Sequence, residues 1–147
     1  MIEYTVRVDE YGTKYWYLND KLHREDGPAI EWTSGSKRWY LNGELHREDG
    51  PAIELSSGSK HWLLNGKPHR EDGPAIECHN GTKFWYLNDK LHREDGPACE
   101  FADGTKRWYI NGEKMTEQEH RDRTNPVKEL TVADIEQLLG HRVKIVK

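Results

Sequence analysis

"TSGSKRWYLNGELHREDGPAIEL" spans residues 33–55, and the chain repeats it with small changes on either side. "EYGTKYWYLNDKLHREDGPAIEW" (10–32) precedes it. "SSGSKHWLLNGKPHREDGPAIEC" (56–78) and "HNGTKFWYLNDKLHREDGPACEF" (79–101) follow without an insertion. A further copy opens as "ADGTKRWYINGE" (102–113) and then diverges. The period is 23 residues, and self-similarity at a fixed period of this length marks a repeat array.

Each unit reads as β structure. The run Tyr15, Trp16, Tyr17, Leu18 is aromatic-rich and strand-like. It ends in Asn19-Asp20, and the later copies end in Asn42-Gly43, Asn65-Gly66, Asn88-Asp89 and Asn111-Gly112. Both central residues of a type I′ turn need positive φ, so these dipeptides predict tight hairpins. The other reversal carries Gly12, Gly35, Gly58, Gly81 or Gly104 at its third position, which suits a three-residue loop. That loop fixes a register in which Glu31 faces Lys37 and Ala29 faces Trp39, and across the Asn-Gly turn Trp39 faces His46. Glu54 with Lys60, Glu77 with Lys83 and Glu100 with Lys106 follow by repetition. Ala, Trp, His and Leu then share one face, with Ile30 and Tyr40 on the other.

One hairpin is marginal by itself, whereas stacked hairpins bury a shared seam. Trp16, Trp39, Trp62, Trp85 and Trp108 supply that seam. The expected fold is mainly β: an elongated single-layer antiparallel β-hairpin array of about five 23-residue units, solenoid-like, with a small C-terminal helical or αβ cap. The organisation is an N-terminal capping strand at 1–9, repeats over 10–113 (10–32, 33–55, 56–78, 79–101 and partial 102–113), and a terminal element at 114–147.

The heptad "HREDGPA" occupies His23–Ala29, His46–Ala52, His69–Ala75 and His92–Ala98. Its "DGP" part is turn chemistry: Asp26 accepts from nearby amides, Gly27 supplies positive φ, and Pro28 starts the next strand. His23 is placed to lie on Trp16. Arg24, Glu25, Arg47, Glu48, Arg70, Glu71, Arg93 and Glu94 form a ladder of alternating charge. As scaffold, such a ladder is a solvated edge that blocks aggregation. As a site, it is a ridge for a partner, with arginine as a forked donor. Tyr17, Tyr40 and Tyr86 are the aromatic candidates beside it. Near-identical copies provide no asymmetric group of nucleophile, base and stabiliser, so catalysis is not expected. The His–Asp pairs lack zinc spacing, so no metal and no cofactor is expected.

The "NG-x-x-H" element at a 23-residue period resembles the MORN repeat, here as "NGELH" (42–46), "NGKPH" (65–69) and "NDKLH" (19–23 and 88–92). The glycine that follows His in that family is replaced by Arg24, Arg47, Arg70 and Arg93. The resemblance covers about residues 10–113, and the "HREDGPA" arrays look like those of bacterial and tailed-phage proteins. It implies an elongated β array that docks proteins or lipids, generally without catalysis. Phosphoinositide binding does not carry over, because each Arg is matched by Glu and Asp.

Composition narrows the partner class. The 147 residues are 33% charged, carry six Trp and seven Tyr, and have a net charge of −4 that lies within residues 10–101. No block is basic enough to predict nucleic-acid binding. Cys78 and Cys99 fall at apolar positions of the repeat and read as buried hydrophobes. No signal peptide, long apolar run or lipidation box is present, so a cytoplasmic protein without stable membrane insertion is expected. The leading expectation is a non-enzymatic interaction module for a protein partner, in a phage setting an inhibitor of a host defence protein. The alternatives are sequestration of a small anionic molecule such as a nucleotide signal, an antitoxin-like neutraliser, and docking on a membrane surface.

The ends differ from the repeats. Ile2, Tyr4, Val6 and Val8 alternate with polar residues and predict a strand over 2–9. Thr116 and Glu119 form a capping-box pattern before a helix near 117–123, broken by Asn125-Pro126. Thr131 caps a helix over 132–139, Gly140 terminates it, and a strand is expected at 141–147. Val132, Ile135, Leu138 and Leu139 form one helical face, read as a lid on the last repeat or as a docking or dimerisation element. Terminal strands that pair between chains would give a homo-oligomer.

Overall fold

The computed structural model describes residues 1–126, 129–144 and 146. Its architecture follows from two alternating turns. Asn42 and Gly43 have φ of 51° and 84°, and Leu41 pairs with Glu44, so Asn-Gly closes a two-residue type I′ hairpin. Asn19-Asp20 and Asn88-Asp89 do the same, with Asp20 at 60° and Asp89 at 66°. Aspartate tolerates this left-handed region better than most residues. The second turn has Gly35 at φ 93° and a three-residue loop, because Trp32 N–H bonds to Ser36 O.

These loops produce the expected Glu–Lys register, but Ala29 O bonds to Trp16 N–H and not to the expected Trp39, because the strand changes partner there. Glu31 pairs with Lys37, Glu54 with Lys60, Glu77 with Lys83 and Glu100 with Lys106. The chain runs as an antiparallel meander, so each strand also pairs with the next unit: Lys37 faces Glu54 and Arg38 faces Ile53. The result is mainly β, a hairpin array that forms one twelve-stranded sheet plus three two-stranded hairpins, with two C-terminal helices. One cross-strand row alternates Lys and Glu from Lys14 to Lys106, which sets opposite charges side by side.

Inner strands change partner at tryptophan. Trp39 N–H bonds to Ala52 O at 2.8 Å, while Trp39 O accepts from His46 N–H at 3.0 Å. Between those partners the heptad leaves the sheet as a loop. The ladder is therefore interrupted at Trp39, and Tyr40–Leu41 with Glu44–Leu45 form a separate short hairpin. Adjacent short hairpins are joined through Arg24 N–H to Tyr40 O and Gly43 N–H to Leu22 O.

The buried row is alanine rather than tryptophan. Ala29, Ala52, Ala75 and Ala98 are 0% exposed, whereas no large side chain among the described residues is fully buried. The tryptophans are half-buried above this row. A fully closed site facing a half-open indole explains why the repeat holds its smallest side chain there. Trp108 departs from the others, since it faces Met115 instead of a heptad histidine. Cys78 and Cys99 are free thiols, and Cys99 is buried, which pushes its pKa up.

At the N-terminus the strand is Thr5–Val8, shorter than 2–9, and it pairs with Lys14–Leu18. At the other end α1 (Glu117–Thr124) and α2 (Val132–Leu139) both begin in capping boxes, at Thr116 with Glu119 and at Thr131 with Asp134. Gly140 terminates α2 at φ 71°. α1 covers the last repeat strand, Lys106–Ile110, with His120 buried. No residue of α2 is buried, so the lid is α1 and not the apolar face of α2. The strand expected at 141–147 does not form at 141–144 or at 146, and residues 145 and 147 lie outside the described residues. Val143 N–H turns back to Glu136 Oε1 at 3.1 Å instead of joining a ladder.

Candidate interaction grooves

The heptad makes the site, and each of its side chains has a separate task. Arg47 Nε donates to Asp49 Oδ1 at 2.8 Å. Its Nη1 donates to Pro51 O at 3.2 Å and to Glu54 Oε1 at 3.1 Å. The guanidinium carbon stands 4.0 Å from the Trp39 ring centroid. Arg24 on Trp16, Arg70 on Trp62 and Arg93 on Trp85 repeat the arrangement at 4.2, 3.8 and 3.9 Å. These arginines are spent internally, with side chains only 20 to 22% exposed. They tie the loop to the sheet, and a cation desolvated on an indole strengthens that tie.

Two expectations about the loop are corrected. Gly27, Gly50, Gly73 and Gly96 do not have positive φ. Their role is close approach: a Cβ on Gly50 would stand 2.9 Å from the Arg47 guanidinium carbon, which is held by four partners. Asp26 does not serve neighbouring amides but accepts from Arg24 Nε at 2.9 Å. The hydrogen bond from Arg47 holds the Asp49 carboxyl below its ordinary pKa, and Arg93 does the same for Asp95.

The histidines join units. His23 lies across the hairpin from Trp16, but its ring serves the next repeat. His23 Nδ1 accepts the N–H of Asn42 at 2.9 Å, and His46, His69 and His92 accept from Asn65, Asn88 and Asn111 at 3.0 Å. Nδ1 is therefore the bare nitrogen. Nε2 lies 3.6 Å from the glutamate two residues on in His46 and His92. Small hydroxyls add a parallel link. Ser36 Oγ accepts from Ser56 N–H, Ser59 Oγ from His79 N–H, and Thr82 Oγ1 from Ala102 N–H. Neither link was visible in sequence.

Between successive loops lie three grooves of the same composition. Arg24 to Pro28 form one wall of the first, Arg47 to Asp49 the other, and Trp39, Leu41 and His46 lie between them. The volumes are about 740, 720 and 640 Å³ in chain order. The outward charge is acidic. Glu25 is 58% exposed and Glu48 and Glu71 are 85% exposed, so the loops present carboxylates while the arginines fold inward. Of the sequence candidates, the structure brings Arg24, Glu25, Arg47, Glu48, Arg70, Glu71, Arg93 and Glu94 together in the grooves. Tyr17, Tyr40 and Tyr86 stay apart, paired with Leu22, Leu45 and Leu91 in the hairpins.

No family model matches the chain, and no curated protein matches it either. The site must therefore be read from its own chemistry. Among the described residues, no group of three or more His, Cys, Asp or Glu is placed to hold a metal ion. On the opposite face His61 is desolvated and lies near Arg38, both of which lower its pKa. Arg38 rests 5.3 Å from the Trp32 ring centroid. That face carries the cations Arg38 and Arg107 against Trp32 and Phe101. No helix among the described residues is long and apolar enough to cross a membrane.

Proposed function

We propose that the chain is a non-enzymatic interaction module that docks a basic segment of a protein partner along its three grooves. The observation that supports this most is the recurrence of one groove at three successive junctions, each with Trp and Leu in its floor and exposed glutamates on its rim. Apolar contact in the floor supplies affinity, and the carboxylates select positive charge and speed encounter. A MORN-like array that presents such a surface fits the phage setting suggested by the "HREDGPA" arrays, with the partner a host defence protein that the module inhibits. A small anionic ligand is the weaker reading, because the arginines that would hold it are already bonded to Asp, Glu and backbone carbonyls.

The combined variant Glu48→Lys, Glu71→Lys, Glu94→Lys tests the proposal. It should lose a protein partner retained by the native chain in affinity purification, by at least about tenfold, while its circular dichroism stays unchanged. Retention of the partner by the reversed variant would contradict the reading.

A further inference from the structure

Both ends of the groove series are closed by rings of the chain itself. At the N-terminal end Tyr4 lies against the first heptad. Its ring stacks on His23 with centroids 6.5 Å apart and 29° between planes. Its hydroxyl accepts the N–H of Glu25 at 3.2 Å. At the C-terminal end the imidazole of His120, 4% exposed, approaches the carbonyl of Arg93 with Nε2 2.6 Å from the oxygen. A carbonyl only accepts, so Nε2 carries the hydrogen.

The backbone groups used at the two ends recur in every open groove. The N–H groups of Glu48, Glu71 and Glu94 correspond to that of Glu25. The carbonyls of Arg24, Arg47 and Arg70 correspond to that of Arg93. Among the described residues none of these six groups has a backbone hydrogen-bond partner. His46, His69 and His92 line these grooves with side chains 13, 17 and 11% exposed, against 7% for the His23 that Tyr4 stacks on. Each open groove thus repeats a setting that the molecule fills at its ends with an aromatic ring bearing a polar atom. A phenol suits both backbone groups, since its hydroxyl both accepts and donates.

We propose that each open groove takes one tyrosine ring of an extended partner segment, laid on His46, His69 or His92, with its hydroxyl accepting from the N–H of Glu48, Glu71 or Glu94. This rests on the docking of a basic segment proposed above and names what enters the floor. Each unit adds two strands to the sheet, so grooves recur about every 10 Å. A partner segment in the polyproline II form rises about 3.1 Å per residue with three residues per turn, so tyrosine at every third position both keeps step and stays on one face. The two residues between rings lie against carboxylate rims and are basic.

The test uses the full chain and synthetic peptides in which Tyr-Lys-Lys is repeated, with Phe-Lys-Lys and Ala-Lys-Lys repeats as comparisons. Binding is read from the fluorescence of the groove tryptophans. The tyrosine peptide should bind about tenfold more tightly than the phenylalanine one, the loss expected for an unmade hydrogen bond to a backbone donor. Leu64→Trp, which adds bulk beside the middle groove, should weaken the tyrosine peptide at least about tenfold by the same steric logic that penalises overfilled sites. If the phenylalanine or alanine peptide binds as tightly as the tyrosine one, the tyrosine assignment is overturned while docking of basic segments stands. If no peptide binds, both fall.

Discussion

Trp39→Ala should lower the unfolding free energy by about 3 kcal/mol, the low end for a large aromatic because the indole is only half-buried. Arg47→Ala should cost about 2 kcal/mol, since it leaves Glu54 and the Pro51 carbonyl without their shared donor. Glu48→Ala, one residue away, should change stability by less than about 0.5 kcal/mol, because its side chain projects into solvent. The double variant should lose less than the sum of its parts, since the guanidinium and the indole are mutual neighbours. Chemical denaturation of the four proteins checks this. Equal losses for Arg47→Ala and Glu48→Ala would mean that the arginine is not the brace of its loop.

Ala52→Leu should be comparably damaging. Ala52 is 0% exposed, and its carbonyl takes the Trp39 N–H at the point where the strand changes partners. Added methyl groups there must displace the indole or the loop, at a cost of about 2 kcal/mol. The same substitution at exposed Ala102 should stay within about 0.5 kcal/mol. Thermal melting distinguishes the two, and similar melting temperatures would contradict the alanine row as the closed part of the fold. Each unit leans on its neighbours, so the effect of Ala52→Leu should spread beyond its own repeat.

The local rules of the fold were legible in sequence, because they are carried by residues with strong backbone preferences. Asn42-Gly43 and Gly35 dictated both turns, and the loop lengths then dictated the Glu31–Lys37 register. The site was legible only as a place. Arg24 read as a free donor because sequence spacing does not reveal that Trp16 waits beneath it and Glu31 beside it. Gly27 read as a positive-φ residue because glycine in a turn usually serves that end, whereas here it makes room for a guanidinium. The His23 to Asn42 bond joins residues 19 apart, and only the stacking of one unit on the next brings them together. Tyr4 looked like one more alternating apolar residue, and its partner Glu25 lies 21 residues away.

The central claim is that units are clasped by imidazole nitrogens that accept the turn amides of the following repeat. Hydrogen exchange of the Asn42, Asn65, Asn88 and Asn111 amides tests it most directly, since these turn residues are themselves exposed. The clasp predicts exchange slowed at least about a hundredfold relative to an open turn amide, with the protection at Asn65 lost in His46→Ala. Exchange at the rate of a free turn in the native chain would contradict it.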